Sequence, residues 1–140
     1  MSEAISIAKT VKDEVPVCAL VVKENELISC AVNKTEVLSD PTAHAEVIAI
    51  REASKLLGNW RLNNCVLYST LEPCTMCAGA IVNARISKVI FGAYDYNAGA
   101  CGSLVNVFKD LNKLDQIEII GGVLEIEASQ LVKDFFISKR

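Results

Sequence analysis

"CVLYSTLEPCTMCAGAIVNARISKVIFGA", residues 65–93, reads as strand, helix, strand. "CVLYST" (65–70) and "KVIFGA" (88–93) carry the β-branched and aromatic residues of buried strands. "CTMCAGAIVNAR" (74–85) is helical between them, with Pro73 at its entrance. Strands alternating with helices pair in parallel and carry helices on both faces, so the stretch predicts an α/β fold.

Downstream, "SLVNVFKDL" (103–111) reads as a short helix, "IEIIGG" (117–122) as a strand and "EIEASQLVKDFFISK" (125–139) as a closing helix. Upstream, "VPVCALVV" (15–22) and "LISCAVN" (27–33) are β-rich runs around polar "KENE", which predicts a hairpin. "MSEAISIAKTVKDE" reads as an amphipathic helix, without the apolar core of a signal peptide. "DPTAHAEVIAIREASKLLGN" (40–59) is a helix with Asp40 or Thr42 as cap, Pro41 in the first turn and Gly58 at the end. The expected order is α-ββ-α-β-α-β-α-β-α, within one domain over 1–140.

With 140 residues, half of them hydrophobic, the chain can bury one sizeable core and is not a disordered one. No apolar run approaches a membrane span, so the expected location is the cytoplasm, with no membrane partner. A net charge of −3 argues against a protein that holds nucleic acid through a broad basic surface. The chain has 6 cysteines, but a cytosolic domain needs no disulfide framework, and C-x-x-C there points to metal or redox chemistry. Cys18, Cys30 and Cys65 read as small strand hydrophobes.

The single histidine, His44, stands in "HAE" with Glu46 two places on, at the head of the second long helix. Cys74 and Cys77 stand in the first turn of the helix at 74–85. Residues i and i+3 point the same way on a helix, so both sulfurs can reach one ion. A helix N-terminus favours thiolate over thiol. Helices that follow parallel strands start at the same sheet edge, where open α/β sheets bind ligands. Three ligands of type His/Cys/Cys leave a tetrahedral zinc one open position, the pattern of a catalytic site. Glu46 shares a helical stripe with Ile50, Ala53 and Leu57. A carboxylate there is costly for a surface helix and suits a proton shuttle of raised pKa. The combination H-x-E then P-C-x-x-C resembles the signature of zinc nucleobase deaminases.

Over nearly its whole length the chain resembles the bacterial tRNA adenosine deaminases. The resemblance rests on "EVPVCALVV", "DPTAHAEVIAIREA", "NWRL", "LYSTLEPCTMCAGAIVNARI", "VIFGAYD", "AGACGSL" and "DFFISKR". It implies a three-layer α/β/α sandwich with a five-stranded mixed sheet, cytidine deaminase-like, and a homodimer. It implies one Zn²⁺ per subunit on His44, Cys74 and Cys77, with Glu46 moving protons. Asn33 would hydrogen-bond the flipped purine, with the N–H of Ala45 and the carbonyl of Leu71 in the same pocket. Asp95 would stand beside the target ribose. Phe135, Phe136 and the basic end with Arg140 would lie near the anticodon loop of a tRNA. Core packing explains the two phenylalanines equally well, since Phe135 continues the stripe Ala128, Leu131 and Val132. The chain departs from the family pattern at Cys18, Asn83 and Leu114–Asp115, and at Tyr94 and Tyr96 on either side of Asp95. The implied reaction is hydrolysis of adenosine to inosine at the wobble position, A34. The rivals are deamination of free guanine, cytosine or deoxycytidylate, and a zinc-binding or dithiol protein without catalysis. A structural zinc site would need a fourth protein ligand and no carboxylate beside it.

Overall fold

The computed structural model describes residues 1–140. β1 (Cys18–Lys23) and β2 (Glu26–Val32) form the expected antiparallel hairpin. Its turn residues Glu24 and Asn25 both have positive φ, at 51° and 63°, which matches the twist of the flanking strands. β1 also pairs antiparallel with β3 (Cys65–Leu71), and β3, β4 (Lys88–Ala93) and β5 (Glu118–Ile120) pair in parallel. The sheet order is β2-β1-β3-β4-β5, a mixed five-stranded sheet. β2 and β3 point the same way with β1 between them. The helices that follow them, α3 (Ala45–Leu57) and α4 (Thr75–Asn83), therefore begin at one edge of the sheet.

Both faces of the sheet are covered, which is why β1 opens with four buried residues in a row. Ala19 and Val21 face the main core, shared with Ala49, Ile50 and Ala53 of α3 and Ala78 and Ile81 of α4. Cys18 and Leu20 face a second core with Ala4 and Ala8 of α1 (Ser2–Ala8). α6 (Glu125–Ser138) completes that face through Ala128 and Leu131. The result is the three-layer α/β/α sandwich.

The boundaries differ from the sequence expectation where side chains compete for backbone groups. α1 stops at Ala8 and does not reach residue 14. The Thr10 hydroxyl donates back to the Ile7 carbonyl at 2.7 Å, and Asp13 takes a positive φ of 63°, so the chain leaves the helix and turns Glu14 inward. A short helix not expected from sequence, α2 (Thr35–Leu38), follows β2. Asp40 and Thr42 do not cap α3. The Asp40 carboxylate accepts from the Thr42 N–H at 2.8 Å and its hydroxyl at 2.7 Å, closing a local turn, and His44 is the N-cap, with extended φ −74° and ψ 149°. Gly58 does end α3, at φ 63°. The helix expected at 103–111 contracts to α5 (Val107–Asp110), capped by the Asn106 side chain, which accepts from the Lys109 N–H. Residues 103–106 are left as loop because Ser103 is bound elsewhere, to Glu72.

Candidate metal centre and substrate cavity

His44 and Cys74 are the N-cap residues of α3 and α4, and Glu46 and Cys77 lie in the first turns that follow. Two helix starts thus converge on one point at the ends of β2 and β3. His44 Nδ1 lies 3.6 Å from the Cys74 sulfur and 3.5 Å from the Cys77 sulfur. All three ligand atoms fall within 4.8 Å of one another. Tetrahedral zinc with ordinary Zn–N and Zn–S bonds separates such atoms by about 3.5 Å. The donor set and its two nitrogen–sulfur spacings therefore fit zinc, and no fourth protein ligand joins them among the metal-binding side chains.

The charges agree with this. Hydrogen bonds from Cys77, and then from His44, hold the Cys74 thiol down at about 4. Its role as donor to Cys74, together with burial, pushes the Cys77 thiol well up. One thiolate forms readily and opposes the second, an opposition that a divalent cation removes. The bond to Cys74 raises the pKa of His44. Glu46 is 4% exposed. Burial raises its carboxyl above the usual carboxylate range. Ser69 Oγ lies 3.4 Å from Glu46 Oε1 and donates to the Leu71 carbonyl at 2.7 Å.

Asn33, His44, Glu46, Leu71, Cys74 and Asp95 line one cavity of about 210 Å³, with Val15, Val17, Thr35, Glu72 and Ala98. Cys77 is buried behind it. Ala45 is fully buried as the first residue of α3, where its N–H has no partner within the helix. The other expected contacts separate. Phe136 lines a neighbouring groove together with Asp95. Phe135 turns toward α1, in a cleft with Ala8, Val11 and Leu131. Arg140 stands beside Gln130, Lys133 and Phe136, outside the cavity. Lys139 pairs with Asp13 at 3.6 Å and lies over the Phe135 ring.

Two buried carboxylates were not singled out from sequence. Glu14 accepts from the Val37 N–H at 2.8 Å, the Thr35 hydroxyl at 3.2 Å and Asn33 Nδ2 at 3.4 Å. It anchors one end of the Asn33 amide and leaves the other end for a ligand. Glu72 is 2% exposed. It accepts from the N–H groups of Asp95 at 2.9 Å, Cys101 at 3.0 Å and Ser103 at 3.1 Å, and from the Ser103 hydroxyl. It ties the turn that carries Cys74 to the loop that carries Asp95. A β-carbon on Gly99 would collide with Glu72, so the loop can close only on glycine there. A charged residue next to an apolar run is the only sequence signal for either, and it also describes an ordinary surface charge.

A sheet of this order, with a His/Cys/Cys centre and a buried glutamate at its edge, defines a deaminase-fold protein. A family model described as MafB19-like deaminase matches residues 2–140. The tRNA-specific adenosine deaminase of Bacillus subtilis (strain 168) is 46% identical over 138 residues, 97% of this chain and 86% of that protein. A solved structure from a study of A-to-I editing by tRNA:A34 deaminases aligns with TM-score 0.88 at 40% identity, over 94% of this chain and 96% of that one. A guanine deaminase structure, also from Bacillus subtilis, aligns with TM-score 0.65 at 38% identity, over 79% and 71% of the two chains. The chain belongs to the MafB19-like deaminase family and, within it, to the tRNA-specific adenosine deaminases.

Proposed function

We propose that the protein converts adenosine to inosine, with release of ammonia, at the wobble position of a tRNA anticodon loop. The observation that supports this most is the joint placement of His44, Glu46, Asn33 and Asp95 around one small cavity in a chain 46% identical to a tRNA-specific adenosine deaminase. His44 Nδ1 and the sulfurs of Cys74 and Cys77 would hold one zinc ion per subunit, whose chemistry is to lower the pKa of a water in its open position. Glu46 takes the proton of the attacking water and delivers one to the purine N1 as C6 becomes tetrahedral. It then takes the remaining proton from the new C6 hydroxyl and gives it to the amino nitrogen, so that the C6–N bond breaks, C6 keeps a carbonyl oxygen and ammonia leaves. Its raised pKa suits a group that must gain and lose the proton within one cycle. Asn33, braced by Glu14, holds the purine in register. Asp95 Oδ1 accepts from the N–H groups of Asn97 and Ala98 at 3.0 and 3.1 Å, which leaves Oδ2 for the ribose 2′-hydroxyl. The target base must leave its stack to enter, and a loop makes that cheaper than a duplex.

Residues 1–140 act as one domain in this reading, in the cytoplasm, as a homodimer packed through α4. No helix is long and apolar enough to cross a membrane. The test is inosine formation in an anticodon stem-loop bearing A34, with zinc content and light scattering measured on the same sample. A monomer at micromolar concentration would overturn the dimer, and substoichiometric zinc in carefully prepared protein would overturn the metal assignment.

A further inference from the structure

Tyr94 and Tyr96 flank Asp95, and nothing in the deamination scheme uses them. Their rings are nearly parallel, 23° apart with centroids 6.4 Å from one another. Tyr96 is 72% exposed and Tyr94 39%. Large aromatic surface left in water beside a catalytic cavity has to be accounted for.

Tyr94 is held in place, and so is the backbone that leads to Tyr96. Tyr94 stands edge-on to buried Phe91, with centroids 5.3 Å apart. On another side it lies against Gly122, where an added β-carbon would come within 3.2 Å of its hydroxyl. The backbone between the two tyrosines is fixed by the bond from the Asp95 N–H to Glu72 and by the turn that the Asp95 carboxylate closes. A ligand meeting the Tyr94 ring need not first order it.

Both tyrosines border a groove of about 450 Å³, with Val132, Lys133 and Phe136 of α6 on its other side. Val15, Leu71 and Asp95 line this groove and the catalytic cavity alike, so the two are continuous. At about 210 Å³ the catalytic cavity is smaller than sites that enclose drug-sized ligands, roughly 300–1,000 Å³. It takes the target base and leaves the next nucleotide outside.

We propose that Tyr94 and Tyr96 form a stacking site for the nucleobase adjacent to the target adenosine in the same strand, with Lys133 beside the connecting phosphate. This rests on the RNA reading of the active site. Flat rings with a free face, a cation and continuity with the cavity suit a base on a phosphate backbone better than a protein surface. Stacking also suits a chain of net charge −3, which gains little from general attraction to RNA.

The experiment uses full-length zinc-loaded protein and an anticodon stem-loop with A34, intact or with an abasic site at either neighbour of the target. Tyr96→Ala is expected to raise KM roughly tenfold, the scale of one lost base–aromatic stack, with kcat, zinc content and melting temperature held. Tyr96→Phe should recover most of that loss. An abasic site at the stacked neighbour should cost the wild type a similar factor and cost Tyr96→Ala nothing further. Independent, multiplying losses at both neighbours would overturn the proposal. So would an unchanged KM in Tyr96→Ala, or a dimer-to-monomer shift in that variant, which would assign the rings to a second copy of the chain. Failure of the wild type to turn over the intact stem-loop is a different result and would instead sink the RNA reading.

Discussion

The floor of the cavity and its rim are built in opposite ways. The floor is made of the first turns of α3 and α4, where regular hydrogen bonding fixes His44, Glu46, Cys74 and Cys77. The rim is loop: residues 9–17 on one side and 94–106 on the other, each held by one buried carboxylate, Glu14 and Glu72. Chemistry that must not vary sits on elements whose position follows from the sheet. Recognition, which varies between members of a fold, sits on loops whose conformation depends on a few polar anchors.

The contrast can be broken first at the floor. Glu46→Ala should keep fold and zinc and lose nearly all turnover, since proton transfer by a positioned group contributes about 10²–10⁴-fold. Activity within a few-fold of the parent would remove Glu46 from the chemistry.

The rim should respond less and differently. Glu72→Gln replaces an acceptor oxygen by an NH₂ that faces backbone donors. The expected cost is about 1–3 kcal/mol of stability, read from denaturant melts. KM for the stem-loop should rise more than kcat falls, with zinc retained. A loss of zinc equal to the loss of activity would instead make Glu72 part of the metal turn alone.

Smaller still is Asp95→Asn. An asparagine can keep the turn to Asn97 and Ala98 through its own carbonyl oxygen, so the change falls on the oxygen left for ribose. Discrimination between ribose and deoxyribose at the target should weaken by a factor of roughly 2–10, one ordinary hydrogen bond. An unchanged ratio of the two rates would take Asp95 away from the sugar.

The smallest effect belongs to deletion of residues 138–140. It removes Arg140 and the exposed pair of Lys139 with Asp13. Exposed pairs contribute about 0–1 kcal/mol, so stability should hardly move, and use of tRNA should weaken a few-fold with zinc unaffected. A change in metal content would contradict the distance between this end and the centre.

The same division explains what could be read from sequence. The H-x-E and P-C-x-x-C stretches carry their helical spacing in consecutive residues, so the meeting of His44, Cys74 and Cys77 at one sheet edge was legible. The parallel pairing late in the chain followed from alternation of strands and helices, and β4 matched to the residue. The caps did not follow, because Asp40 spends its carboxylate on Thr42 and leaves His44 to begin α3. Nor did the ends of α1 and α5, which side-chain hydrogen bonds truncate. Glu14 and Glu72 were hidden for a deeper reason. Their partners lie far along the chain and include backbone N–H groups 23 and 29 residues away, and backbone donors leave no mark in a sequence. Phe135 and Phe136 are neighbours in the chain but face different clefts, a separation that helical geometry alone decides.

Everything above turns on what enters the cavity. The most direct measurement gives the wild-type, zinc-loaded protein an A34 anticodon stem-loop and, separately, free guanine, cytosine and deoxycytidylate, and compares kcat/KM for each. The expected result is inosine in the stem-loop at a rate far above turnover of any free compound. Turnover of guanine or deoxycytidylate without any of the stem-loop would contradict the tRNA assignment, while leaving the metal centre and Glu46 as they stand.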